Sequence, residues 1–133
     1  MELFDLHGET AAVIGATGVL GGAIAQGLAQ AGARVAVLGR NRQRGEQRVE
    51  SIRQIGGEAE FITCDATDEE SLRQAHAQTQ QMGEVSILVN AAGGNQPQVT
   101  VNAQRAFGDI ALEDWRNCLD LNLAAGAFLP CRQ

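Results

Sequence analysis

The chain has 133 residues, 44% of them hydrophobic and 20% charged, a composition that supports one ordinary globular domain and excludes a disordered chain. It contains no tyrosine and all of its 10 basic residues are arginine, so chemistry that needs a phenol, a Schiff base or a lysine-assisted proton relay is excluded for this chain alone. A net charge of −6 argues against a nucleic-acid partner, whose phosphates require a basic face.

Short apolar runs alternate with longer helical periods along the sequence. Thr10–Ile14 reads as strand 1 and leads into glycine-rich sequence. Leu20, Ile24, Leu28 and Ala31 then recur on one face of a helix that stops at Gly32. Arg34–Leu38 is strand 2, and the following helix, Arg42–Ile55, carries Val49, Ile52 and Ile55 on one stripe. Ala59–Thr63 is strand 3. Thr67 with Glu70 has the spacing of a capping box and opens a helix that runs to about Met82. Val85–Val89, the most apolar run, is strand 4. A polar loop follows Asn90, and a last helix beginning near Leu112 buries Trp115, Leu119 and Leu123 as it runs towards Gln133. Strands separated by helices pair in parallel, so the expected fold is α/β: a Rossmann-like doubly wound sheet of order 3-2-1-4 with flanking helices. Strand 4 would then be an open edge, which predicts self-association.

Cys64, Cys118 and Cys131 are odd in number and contain no CxxC pair, so neither a disulfide framework nor a metal site is expected, and buried reduced thiols are. The acidic N-terminus, Met1 to Asp5, has no signal-peptide pattern, and no stretch approaches the roughly 18 apolar residues of a membrane span. A cytoplasmic location away from membranes is the expectation.

The bend Gly15-Ala16-Thr17-Gly18-Val19-Leu20-Gly21-Gly22 joins strand 1 to the first helix. Glycines in that place permit a tight turn and let a pyrophosphate approach the backbone at a helix N-terminus. Gly15, Thr17, Gly18, Val19, Leu20 and Gly21 are therefore candidate cofactor-binding residues, the alternative being a merely structural turn. After strand 2 the chain reads Leu38-Gly39-Arg40-Asn41-Arg42. No carboxylate stands there to repel a 2′-phosphate, and Arg40 or Arg42 can pair with one, which favours NADP over NAD. The alternative is that these arginines only solvate the next helix.

Gly15–Gly21 after a strand, Asp65-Ala66 after strand 3, Asn90-Ala91-Ala92-Gly93 after strand 4, and Asp120-Leu121-Asn122-Leu123 in the last helix occur in the order and spacing of the short-chain dehydrogenase/reductase family. The chain resembles the N-terminal half of a family member, and its segment Asn90 to Pro97 resembles the branch of D-mannonate oxidoreductases and fructuronate reductases. The resemblance implies that Gly15, Gly18 and Gly21 line the cofactor pyrophosphate, and that Asp65 and Ala66 meet the adenine. It implies that Asn90, Ala91, Ala92 and Gly93 border the cofactor ribose. Asn122 matches the family's catalytic asparagine, whose backbone helps hold a water of the proton relay. Asp65 as a turn residue and Asn122 as a polar helix position are the plain alternatives.

The sequence departs from the family pattern in three places. Ile14 stands where a threonine is common, Val19 stands at the usual middle glycine, and Ala125 precedes Gly126 where the family often has glycine three residues after Asn122. The family's serine and Tyr-x-x-x-Lys motif would lie beyond residue 133, and neither His7 nor His76 replaces them. The expectation is an incomplete domain, the cofactor-binding portion of an oxidoreductase acting on an alcohol or ketone, plausibly a sugar acid, inactive by itself. The complete enzyme would be a homo-oligomer. The alternative is a self-sufficient dinucleotide-binding or regulatory module.

Overall fold

Each apolar run is followed by a helical segment long enough to carry the chain back to the start of the sheet, and this alone enforces parallel pairing. In the computed structural model, which describes residues 2–133, strands β1 (Thr10–Ile14), β2 (Arg34–Gly39), β3 (Glu58–Thr63) and β4 (Val85–Asn90) form one parallel sheet in the order β3-β2-β1-β4. In register, Ala12 of β1 faces Ala36 of β2 and Leu88 of β4. Three crossover helices, α1 (Val19–Gln30), α2 (Arg42–Gln54) and α3 (Glu69–Met82), connect the strands.

Alternation along the strands divides the core in two. Ala11, Val13, Val35 and Val37 pack with Ala25 and Ala29 of α1 and with Val49 and Ile52 of α2. On the opposite face Ala12, Ile14, Ala36, Leu38 and Ile62 meet Leu72 and Ala75 of α3, together with Ala125 near the C-terminus. β1 and β2 are buried on both faces, as expected for the centre of a parallel sheet. β4 alternates between half-buried and exposed positions, and Leu88 is 39% exposed. It ends the sheet, as the strand order requires.

Three local expectations are corrected. In α1 the buried stripe is Gly21, Gly22, Ala25 and Ala29, not Leu20, Ile24, Leu28 and Ala31, and Leu20 is 72% exposed. Small residues let the helix backbone sit close against the sheet, while Leu28 packs half-buried against the core and Leu20 is turned out. The cap of α3 is Asp68, whose carboxylate accepts from the backbone N–H groups of Glu70 (2.9 Å) and Ser71 (3.3 Å). Thr67 is engaged elsewhere, donating to Asp65.

The third correction concerns the last helix, which is not uniform. α4 (Leu112–Leu119) passes into a π-helical segment (Asp120–Phe128) and then a single turn, α5 (Leu129–Cys131). Trp115, Leu119 and Leu123 lie 43%, 43% and 61% exposed, while Ala125, Gly126 and Pro130 are buried. The closest approach to the sheet is again made by small side chains. Of the three cysteines only Cys64 is buried; Cys118 is half-buried and Cys131 exposed.

Replacing the true cap tests the assignment at α3. Asp68→Ala should lower stability by about 1 kcal/mol, because two first-turn amides lose their acceptor. Urea unfolding followed by circular dichroism measures it.

Candidate functional site

In a sheet of order β3-β2-β1-β4 the chain leaves β1 in one direction and later returns to its other side, so the loops after β1 and β4 part at the carboxyl ends of the strands. A cleft of about 280 Å³ lies there. Every strand contributes to its wall: Gly15 and Thr17 after β1, Gly39 and Arg40 at the end of β2, Asp65 and Ala66 after β3, and Ala91 to Gly93 after β4.

The glycines set the width of this cleft. Gly15 has φ +82°, and a Cβ on it would come within 2.6 Å of the Ala91 carbonyl carbon and oxygen. A Cβ on Gly21 would collide with the Gly15 carbonyl and approach the Ala91 side chain to 3.1 Å. Gly18 is the N-cap of α1 and supplies no side-chain cap, and the first turn contains no acidic residue. The amides of that turn therefore have no competing acceptor from the cap, and their partial positive charge faces outward. Backbone bonds hold the bend in place: Gly15 N–H and Ala16 N–H donate to Leu38 O (3.0 and 3.2 Å), and Ala91 N–H donates to Ile14 O (2.9 Å).

Asp65 closes the β3 side. Its Oδ1 accepts from both the hydroxyl (2.6 Å) and the N–H (2.9 Å) of Thr67, and these two donors hold its carboxyl below the usual value, with a smaller contribution from the nearby Arg40 guanidinium. Beside it the Cys64 thiol is pushed up to about 11, chiefly by burial and then by the Asp65 charge, so it stands in the wall as a protonated, unreactive group.

On the β4 side, Asn122 from the π-helical segment clamps the loop. Its Oδ1 accepts from Gly94 N–H (2.9 Å), and its Nδ2 donates to Gly94 O (3.1 Å) and Cys118 O (3.0 Å). Gly93 has φ +151°, and a Cβ there would lie 2.7 Å from Asn122 Oδ1. Gly126, four residues on, faces the Ala92 carbonyl, which a Cβ would approach to 3.0 Å. The π-helical segment thus presents Asn122 and Gly126 to the same loop.

Of the residues singled out in the sequence, Gly15, Thr17, Gly18, Arg40, Asp65, Ala66, Ala91, Ala92 and Gly93 line the cleft. Gly21 shapes it through the Gly15 carbonyl. Val19 and Leu20 lie outside the lining, 90% and 72% exposed, and Asn90 directs its Nδ2 towards the Cys131 sulfur at 3.6 Å. Arg42 is engaged away from the cleft, donating to Glu46 Oε1 at 3.2 Å with its guanidinium 5.3 Å from the centre of the Phe61 ring. Sequence reading did not single out Gly39 or Thr67. Gly39 ends β2 and gives way to the Thr17 side chain, which a Cβ would approach to 2.6 Å; Thr67 stood out only as a helix cap.

Two predictions follow from this geometry. Gly15→Ala should destabilise the chain by more than about 1 kcal/mol, since it combines a positive φ with a backbone collision; chemical denaturation measures the loss. Because the Asp65 carboxyl is lowered from 3.8, its contribution to stability is present above that value and disappears as pH falls through the lowered one. Thr67→Val should move the Asp65 midpoint back upward, as read by carboxyl carbon NMR.

The family profile described as short chain dehydrogenase matches residues 9–133. A 3beta-hydroxysteroid dehydrogenase of Mediterraneibacter gnavus is 33% identical over 122 residues, covering 91% of this chain and 42% of that protein. A D-threitol dehydrogenase of Mycolicibacterium smegmatis is 33% identical over 130 residues, covering 97% and 47%. Among solved structures, a candidate D-mannonate oxidoreductase from Haemophilus influenza with bound NAD superposes with a TM-score of 0.85 at 27% identity, covering 96% of this chain and 49% of that one. The chain spans about half the length of the curated relatives it matches. With the ordered motifs, the 3-2-1-4 sheet and the profile in agreement, the chain belongs to the short-chain dehydrogenase/reductase family.

Proposed function

We propose that the chain is the coenzyme-binding half of an NADP-dependent oxidoreductase that interconverts an alcohol and a ketone on a small polyol or sugar acid. The observation that carries this reading is the bend at Gly15–Gly21, where a helix N-terminus without a side-chain cap opens into a cleft lined from all four strands. A diphosphate fits that bend because Gly15 and Gly21 let the backbone turn tightly against Ala91, where a Cβ on either would collide, and because no acidic side chain stands in the first turn of α1. In this reading Gly15, Thr17 and Gly18 hold the diphosphate, Asp65 and Ala66 the adenine, and Ala91 to Gly93 the ribose nearer the reacting end.

When bound, a nicotinamide dinucleotide supplies or accepts a hydride. The protein's own contribution is to exclude side chains from the diphosphate path and to keep the β4 loop in one conformation. Asn122 acts as a positioning residue, with its amide committed to Gly94. The chain has neither tyrosine nor lysine, so proton transfer to the substrate oxygen falls to residues of the second half that the relatives possess. A preference for NADP rests on Arg40 in the cleft wall and on the absence of a carboxylate at the end of β2. The polyol or sugar-acid substrate rests on likeness to D-threitol dehydrogenase and to the D-mannonate oxidoreductase structure.

Calorimetric titration of the chain with NADP and with NAD tests the reading. Saturable binding of both, tighter for NADP, with no coenzyme turnover on added polyols, is the expected result. Absence of binding to a cooperatively folded sample overturns it, and turnover by the chain alone overturns the division of labour between halves.

A further inference from the structure

We draw no further inference here: the strongest candidate, the aliphatic cavity of about 260 Å³ between β1, β4, α3 and the C-terminal turn α5, is an unpartnered apolar face, and nothing in the structure shows what covers it.

Discussion

The distance between the turn after β1 and the loop after β4 governs the architecture around the cleft. Gly15 and Gly21 lie so close to each other and to Ala91 that one added methyl group on either would collide with backbone. That approach draws the N-terminus of α1 into the gap where the chain changes direction across the sheet. It also explains why the fully buried stripe of α1 consists of glycine and alanine, with Leu28 packing only half-buried against the core. The same rule returns at the C-terminal end, where Ala125 and Gly126 are buried beside the β4 loop and larger residues are turned outward.

The walls of the cleft differ in chemistry because each strand ends in a different kind of group. β1 ends in bare amides, β2 in a guanidinium, β3 in an ionised carboxylate held by Thr67, and β4 in a small-residue loop clamped by Asn122. A second cavity of about 260 Å³ lies on the α3 side of the sheet and shares the Cys64 wall, but its lining is chiefly aliphatic. The contrast separates a place where polar groups converge from one where the sheet face is incompletely covered.

Arginine usage shows how a tertiary contact can divide a run of similar residues. Arg40, Arg42, Arg44 and Arg48 look equivalent in a linear reading. In the folded chain Arg42 is withdrawn by an ion pair and an aromatic ring, while the others face open recesses continuous with the cleft. The distinction arises because the buried stripe of Gly45, Val49 and Ile52 fixes which side of α2 faces outward.

The amino-acid sequence by itself determined the alternation of strands and helices and the parallel pairing, since crossover helices carry the chain back and the hydrophobic period is a local property; the order 3-2-1-4 was the expectation for a doubly wound sheet. The glycine bend was legible in the residues themselves, whereas Asp65-Ala66, the Asn90–Gly93 loop and Asn122 stood out through their resemblance to the family's ordered motifs. Only the tertiary structure decided which face of α1 is buried, that Asp68 rather than Thr67 caps α3, that the last helix widens into a π-helical segment, and that Asn122 spends its side chain on Gly94. Those outcomes depend on how closely distant backbones approach, and no local pattern of hydrophobicity encodes that distance.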